Sequence, residues 1–438
     1  MVTRARYFIG DVAYWMRTHP VPALLVVLLI AAAAAGAALG IGALADDEDR
    51  RSLAPAPQVV VRTEEPPESA SDLGFPAFAT SNTTRVAAAE PIATAAGVAL
   101  ATSPAADGVE GPAAVSLVPA DDWASGIAAA SLISEPVGAT TLLTDGEDIS
   151  DLTADALELL APGGSAATDN RQAFAIGSAP EPEGLRTLHV EGANPAATAA
   201  EVAFLRERLT EEDPEHLLIA NSDEPAFAMP AAAWAARSGD PVLFAQRDSI
   251  PAATIEAIER YEDVPVYLLG PQSVISDKAE TQIKEATKAA VKRAGSASDP
   301  VANAVEFARF ADGAFGWNIN DPGHGFVIAN AERPADAGAA AGLSGSGTWG
   351  PLLVTDDPAL PPAELESYLL DLKPGYVDDP TRAVYNHIWI VGDEEAISVP
   401  FQVELDELAE VAPIRSGSGD SLISPGQGEP EDEQESRG

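Results

Sequence analysis

Short apolar segments alternate with longer alanine-rich or amphipathic segments between residues 85 and 412. The short segments are apolar at consecutive positions, a pattern typical of strands that are buried on both faces of a parallel sheet. The longer segments have the length and the alanine content of helices. Strands that alternate with helices in this way predict βαβ units with right-handed crossovers.

The alternation recurs three times in one order, so it indicates an internal repeat. Each copy opens with a helix start rich in Pro and Ala, at residues 90–99, 194–203 and 299–308. A strand, an alanine-rich helix, a second strand, an amphipathic helix and a third strand that ends in glycine then follow. The predicted strands are 114–119, 139–144 and 173–177 in copy one, 216–220, 241–245 and 265–270 in copy two, and 325–330, 351–355 and 387–392 in copy three.

Each copy is about a hundred residues long, which is the size of a small domain rather than of a solenoid unit. The pattern predicts an α/β fold of three tandem Rossmann-like repeat domains, each with a small parallel sheet flanked by helices. Their predicted bounds are 81–178, 179–298 and 299–415. Copies two and three share the related segments GPQSVIS and GDEEAIS after the third strand, and this segment is eroded in copy one.

The helix starts differ in their capping residues. Asn194 and Asp299 each precede a proline, and a short polar side chain at this position accepts a hydrogen bond from the free N–H groups of the first turn. Glu90 occupies the same position in copy one and is a poorer cap.

An uncharged segment from Val21 to Ala45 is long enough to cross a bilayer as a helix. Arginines precede it and acidic residues follow it, so the positive-inside rule places residues 1–19 in the cytoplasm. We therefore predict a single-pass transmembrane signal-anchor at 20–45 in the cell membrane, with the repeats extracellular. A cleavable signal peptide is the alternative, since Ala43-Leu44-Ala45 fits a cleavage site, but the apolar segment is about twice as long as a normal h-region.

The segments that flank the repeats lack apolar periodicity. Residues 46–80 are rich in Pro, Glu, Ala and Ser, which is typical of a disordered stalk. Residues 416–438 are acidic and polar, which predicts a disordered tail. Neither segment has residues that suggest chemistry.

The chain is strongly acidic, with 25 Lys and Arg against 68 Asp and Glu and a net charge of −43. A field of this sign repels nucleic acid, so no nucleic-acid partner is expected. The acidic residues punctuate the apolar segments, which favours a solubilising coat over folded domains rather than one acidic tail. Such a coat is typical of proteins from halophiles, where salt screens the self-repulsion.

The chain has no cysteine and five histidines. Disulfides, thiolate metal sites and a cysteine nucleophile are therefore excluded. No two histidines have the HxxxH spacing of a zinc site, and no segment matches a nucleotide-binding glycine loop. We expect neither a metal nor a cofactor.

The repeats resemble the type 2 cell-wall-binding repeat family. Two TA pairs match the family, at Thr94-Ala95 and Thr198-Ala199. An Asp-Ala-rich helix matches at 334–343, and a strand with Pro and paired aliphatic residues before Thr matches at 351–355. A Val-Ser-like turn after glycine matches at 270–276. The Arg-Tyr pair that often precedes the TA pair in the family is Ile92-Ala93 in copy one and Ala196-Ala197 in copy two. The resemblance implies three domains side by side and non-covalent attachment to an envelope polymer.

Polar residues follow the first strand of every copy, where ligands of open α/β sheets bind. We take them as a candidate binding rim, namely Asp121, Asp122, Asn221, Asp223 and Asn330. Asp336, the acid of the Asp-Ala-rich helix, joins this set through the resemblance. Helix capping and loop chemistry provide the alternative interpretation of all these residues.

Lysines at positions 284, 288 and 292 follow each other at intervals of four residues, which predicts one face of a helix. In so acidic a protein, Lys284, Lys288 and Lys292 are candidates for docking an anionic polymer. A solvated helix face, with Glu280 and Glu285 as partners, is the alternative.

Trp349 lies in a glycine-rich segment, GSGTWG, and is a candidate for stacking on a sugar. His324 lies between two glycines, and no GxSxG motif or recognisable triad accompanies it, so a turn is expected there. The sequence therefore offers no set of convergent catalytic residues.

These observations predict a non-catalytic binding or scaffold protein of the cell envelope rather than an enzyme. Its expected partners are an envelope polymer such as a glycan, an S-layer or a surface protein, and the lipid bilayer through residues 20–45. Two alternatives stay open, an exported hydrolase-like enzyme on a Rossmann-like sheet and a structural spacer without a ligand.

Overall fold

A computed structural model describes residues 79–86, 88–104, 111–146, 148–346 and 348–413. These residues all lie within one unit, Pro57–Gly438. The predicted anchor at 20–45, the cytoplasmic segment 1–19, nearly all of the stalk and the tail at 416–438 lie outside the described residues. Among the described helices, none has the length and the apolar character that a membrane span needs.

The described residues form strands and helices in alternation. The strands are β1 Thr83–Val86, β2 Ala114–Pro119, β3 Ala139–Thr144, β4 Ala173–Ile176, β5 Thr187–Val190, β6 Leu217–Asn221, β7 Val242–Ala245, β8 Val266–Leu269, β9 Val291–Gly295, β10 Gly325–Asn330, β11 Leu352–Thr355, β12 Gly375–Tyr376, β13 His387–Val391 and β14 Ala412–Pro413. The α-helices are α1 Pro91–Thr102, α2 Trp123–Ala129, α3 Asp151–Leu160, α4 Pro195–Thr210, α5 Pro225–Ala228, α6 Pro230–Ser238, α7 Ala252–Arg260, α8 Asp277–Ala286, α9 Pro300–Arg309, α10 Ala335–Gly345, α11 Ala363–Asp371 and α12 Val399–Ala409.

Three parallel sheets of four strands form the framework. Their strand orders are β3-β2-β4-β5, β7-β6-β8-β9 and β1-β13-β10-β11. The first strand of each copy therefore lies inside its sheet, flanked by the second and the third strand. The predicted α/β class with small parallel sheets flanked by helices is confirmed, and the apolar runs are the buried inner strands. A further pair, β12 and β14, lies outside these sheets.

The third sheet is completed by the beginning of the repeat region. In the first two sheets, the fourth strand follows the third strand along the chain, as β5 and β9. In the third sheet the corresponding edge is occupied by β1, which pairs in parallel with β13 from Thr83 to Val86. The sequence-based bounds place β1 in copy one, whereas its strand partner belongs to copy three. The first and last copies are thus joined by backbone hydrogen bonds.

The alanine-rich helices that follow the first strands, α2, α6 and α10, contact one another pairwise. A Cβ atom at Gly338 on α10 would lie only 2.9 Å from the carbonyl carbon of Gly126 on α2. A Cβ atom at Gly345 would lie 2.8 Å from the carbonyl oxygen of Ala236 on α6. Alanine and glycine therefore let three helix backbones approach closely in the largest hydrophobic core of the described chain.

The helix starts follow the capping chemistry of the sequence. The side chains of Asn194 and Asp299 each accept a hydrogen bond of 3.0 Å from the backbone N–H three residues later. The donors are Ala197 and Ala302, respectively. Glu90 makes no side-chain cap at α1. The predicted difference between the copies is confirmed.

Candidate functional site

The carboxyl ends of the first strands are structurally equivalent in the three copies. Pro119, Asn221 and Asn330 each end their strand opposite the last residue of the neighbouring second strand. In copies two and three this position carries a buried asparagine. The strand-end rim of each sheet can therefore be compared residue by residue.

Asn221 and Asn330 connect the rim to the loop after the third strand. The amide nitrogen of Asn221 donates to the carbonyl oxygen of Val274 at 2.6 Å, and that of Asn330 donates to Ala396 at 2.8 Å. Their side-chain oxygens accept backbone N–H groups two residues further on, from Asp223 and Glu332. Both side chains are thus used in holding the loop, and they are not free to contact a ligand.

Copy one lacks this connection, because Pro119 replaces the asparagine and has no side-chain donor. The loop that the asparagines hold in the other copies belongs to GPQSVIS and GDEEAIS, the segment that is eroded in copy one. The missing donor and the eroded loop are two parts of one structural change.

The aspartates of the rim divide into a half-buried residue and two exposed ones. Asp122 caps α2 by accepting a hydrogen bond of 3.1 Å from the backbone N–H of Ser125. Asp121 and Asp223 are exposed. The alternative interpretation as a cap therefore holds for Asp122, and the two exposed aspartates keep a possible ligand-binding role as a prediction.

A cleft of about 380 Å³ lies at the rim between copies one and three. Asp121 and Trp123 line it from copy one, and Glu332 and Arg333 line it from copy three. This cleft brings rim residues of two copies together at the carboxyl edge of the sheets, where open α/β folds place their ligands.

Arg333 is the cation of this cleft and is held by Asp336, which is fully buried on α10. Nε of Arg333 lies 2.7 Å from Oδ2 of Asp336, and Nη1 of Arg333 lies 4.0 Å from Oδ1 of Asp393. Burial raises the pKa of Asp336, and the charge of Arg333 opposes this rise. Asp336 therefore orients Arg333 and does not itself face a ligand.

The three candidate lysines do not share a helix face, so that prediction is wrong. Lys284 lies on α8, which ends at Ala286, and Lys292 lies on β9. The helix ends where the backbone N–H of Lys288 and the Thr287 hydroxyl both donate hydrogen bonds to the carbonyl oxygen of Glu262. 

Each of these lysines has an acidic partner. Lys284 lies 2.6 Å from Glu280, as the alternative interpretation predicted, Lys288 pairs with Glu262, and Lys292 pairs with Asp312. The partners neutralise the lysines locally, which weakens the case for an anion-docking stripe. Their role in binding stays a prediction.

Trp349 is 56% exposed and has a left-handed backbone, with φ of +54°. Its carbonyl oxygen accepts a hydrogen bond of 2.9 Å from Arg237 of copy two. The backbone is therefore anchored while the indole faces solvent, which is compatible with the predicted stacking role.

The sequence-based set missed one equivalent position on the fourth strand of each sheet. Arg85, His189 and Arg293 occupy the same register there, two residues short of the glycine that follows the third strand. Their side chains reach the carbonyl oxygens of those glycines, Gly392, Gly177 and Gly270, at 3.0, 2.8 and 2.6 Å. All three glycines have positive φ. The signal in the sequence is a basic residue shortly before each helix that opens a copy.

Copy two decides the relationship to known proteins, and it carries both the strand-end Asn221 and the glycine loop that this residue holds. Residues 189–280 match the model of the cell wall binding domain 2 (CWB2) family. The resemblance to the type 2 cell-wall-binding repeats is thereby confirmed. A comparison with curated proteins found no match.

Solved structures of CWB2-like fold support the same relationship. Cwp6 from Clostridium difficile aligns with a TM-score of 0.57 and 19% identity, over 76% of this chain and 49% of that chain. Cwp8 from Clostridium difficile aligns with a TM-score of 0.56 and 15% identity, over 75% of this chain and 52% of that chain. At these identities the likeness is one of fold, and the chain spans about half the length of each of these proteins.

Proposed function

We propose that this chain is a non-catalytic binding protein of the cell surface, which contacts a polymer of the cell envelope through its CWB2-like repeats. The match of residues 189–280 to the CWB2 family carries the proposal. The three-sheet framework supports it, because the fold extends the same arrangement over the other two copies.

We place the contact at the strand-end cleft between copies one and three. Asp121 and Glu332 are exposed there, and Arg333 provides a cation whose position is fixed by the buried Asp336. Fixed polar groups of both signs, beside the partly buried Trp123, suit the hydroxyl groups and the apolar faces of a glycan. An S-layer protein or another surface protein is the competing partner.

The apolar segment at 20–45 supports a location at the membrane, with the repeats outside the cell. An anchored protein does not need the polymer for its retention. We therefore propose that the repeats connect the membrane to the envelope, as a scaffold between two layers.

Variants of the cleft test this proposal. The full chain, kept in detergent, is mixed with protein-free envelope preparations at high salt, and the bound fraction is measured after sedimentation. The double variant Asp121→Ala/Glu332→Ala is compared with Asp155→Ala/Glu158→Ala, which removes the same charge from exposed positions on α3. We expect at least about tenfold weaker binding for the cleft variant and unchanged binding for the control.

Equal binding by both double variants would contradict the proposed cleft. Binding to preparations that retain their surface proteins, but not to protein-free polymer, would assign the partner to a surface protein. Turnover of ester or glycoside substrates by the full chain would favour the exported hydrolase instead.

A further inference from the structure

A cavity of about 770 Å³ lies at the opposite edge of the third sheet, where the strands begin. His324 precedes β10 and His387 begins β13, so both stand at the amino ends of neighbouring strands. The ends of α1 and α10 form the other wall, with Thr102 and Leu343. The cavity falls within the roughly 300–1,000 Å³ that small-molecule sites occupy. It is separate from the strand-end cleft.

Two long loops of copy three build this cavity. Residues 310–324 connect α9 with β10 and residues 372–386 connect α11 with β13, whereas copy two needs only 211–216 and 261–265 for the same connections. Residues of both long loops line the cavity. These two connections of copy three are therefore longer than those of copy two, and their added length forms part of the cavity wall.

The two loops are held together by Asn386, which is buried. Its side-chain oxygen accepts hydrogen bonds from the backbone N–H groups of Gly323 and His324, at 2.8 and 3.2 Å. Its amide nitrogen donates to the carbonyl oxygen of Leu372 at 2.9 Å. The wall is thus fixed before any ligand arrives, which lowers the entropy cost of binding.

Aromatic and imidazole rings line the cavity from one side. His387 and Trp389 are two residues apart on β13, so their side chains project from the same face of the sheet. Their ring centroids are 5.7 Å apart. Tyr385 is 68% exposed and Val384 is 50% exposed, and both line the cavity. Trp349, which is also exposed, directly follows the lining residue Thr348.

The electrostatic character of the cavity is unusual for this chain. No Asp or Glu is among the described residues that line it, although the whole chain carries a net charge of −43. Burial lowers the pKa of His387, which is therefore neutral near pH 7, and its Nε2 lies 3.1 Å from the hydroxyl of Thr84. Asp321 lies 3.3 Å from Nε2 of His324, outside the residues that line the cavity.

We propose that this cavity binds a neutral saccharide. Ring faces of Trp389 and Tyr385 match the C–H faces of a sugar, and the hydroxyls of Thr102 and Ser346 match its hydroxyl groups. The lack of fixed charge in the lining and the acidic field of the chain both disfavour an anionic sugar. This site goes beyond the proposed polymer contact, because it lies on the opposite edge of the third sheet and shares no lining residue with the strand-end cleft.

The test uses the full chain in detergent and three neutral probes, diacetylchitobiose, maltotriose and mannotriose, with titration calorimetry and indole fluorescence as readouts. We expect one of these probes to bind. Tyr385→Ala removes an exposed ring and Ala383→Asp adds a charge to the lining, so each weakens binding at least about tenfold. Val377→Ala, at a 63% exposed position of the same loop that does not line the cavity, is the matched control and leaves binding unchanged.

The proposal is overturned if none of the probes binds at millimolar concentration, or if Tyr385→Ala and Ala383→Asp bind as Val377→Ala does. Tighter binding of an acidic oligosaccharide would also overturn it. The variant Asp121→Ala/Glu332→Ala distinguishes the two sites. It changes only the strand-end cleft, so we expect saccharide binding in the cavity to be unchanged, whether or not the cleft binds the polymer.

Discussion

The guanidinium of Arg85 donates a hydrogen bond of 3.0 Å to the carbonyl oxygen of Gly392, which lies 307 positions later in the chain. The same nitrogen donates to Asp393 at 2.8 Å, and Nε donates to Gln402 at 2.9 Å. Burial lowers the pKa of Arg85 to about 10, so the side chain stays charged at neutral pH. One arginine thus fastens the first strand of the repeat region to the last loop of copy three.

We predict that Arg85→Leu destabilises the protein by about 3 kcal/mol, because buried carbonyl oxygens lose a charged donor. Urea unfolding of the full chain measures this loss. Arg382→Leu, at an exposed position, is the control and stays within about 0.5 kcal/mol of the unmodified protein. A loss for Arg85→Leu no larger than that of the control would contradict the closure by β1.

A second prediction concerns the close approach of α2 and α10. Gly338→Ala places a Cβ atom 2.9 Å from the backbone of Gly126, so the helices must separate, at a cost of about 1–3 kcal/mol. Gly163→Ala is the matched control, since a Cβ atom there meets nothing within 4 Å. Thermal unfolding should rank Gly338→Ala clearly below Gly163→Ala. Equal melting temperatures would show that the helix contact is looser than described.

A third prediction concerns the strand-end asparagines. Asn330→Ala leaves the carbonyl oxygen of Ala396 without its donor and should cost about 1–3 kcal/mol, and Asn221→Ala should cost a similar amount in copy two. Hydrogen exchange should be faster in the loop at 392–398 of Asn330→Ala and in the loop at 270–276 of Asn221→Ala. Unchanged exchange in these loops would argue that the asparagines act on a ligand rather than on the loop.

A fourth prediction concerns pH. Nδ1 of His216 lies 3.1 Å from Asp240, and both residues are buried. Burial acts to lower the pKa of His216, but the hydrogen bond and the charge of Asp240 outweigh it, so the pKa is raised above 6.5. The pair therefore stabilises the fold fully below the unfolded-state pKa, and this contribution is lost as pH rises through the folded-state pKa.

Urea unfolding between about pH 6 and pH 8 measures this effect. The unmodified protein should lose more free energy of unfolding over this range than His216→Gln, which cannot titrate. Parallel pH profiles for the two proteins would refute the assignment.

The inner strands and the helices were predictable from the sequence, because consecutive apolar residues mark strands that are buried on both faces. The fourth strands were not, since β1, β5 and β9 lie at sheet edges and carry Arg85, His189 and Arg293. Polar edge strands lack the apolar run on which the prediction depended. The pairing of β1 with β13 joins the beginning of the repeat region to its last copy, and no local sequence pattern indicates a contact between segments so far apart.

The positions of the candidate residues in the fold were predictable in part, and their role in binding stays a prediction. The sequence placed Asn221 and Asn330 at strand ends, but their function in holding a loop depends on Val274 and Ala396, which are distant in sequence. The lysine spacing failed for another reason. A spacing of four residues suggests a helix face even where the chain continues past the end of a helix. The end of α8 is fixed by hydrogen bonds to Glu262, which is distant in sequence.

The proposed function requires that the chain binds an envelope polymer and performs no catalysis on it. The most direct measurement is a saturation binding curve of the full chain on protein-free envelope polymer at high salt, with the supernatant analysed for released saccharides. We predict saturable binding and no release. Absence of binding, or release of saccharides in proportion to the chain added, would contradict the proposed function.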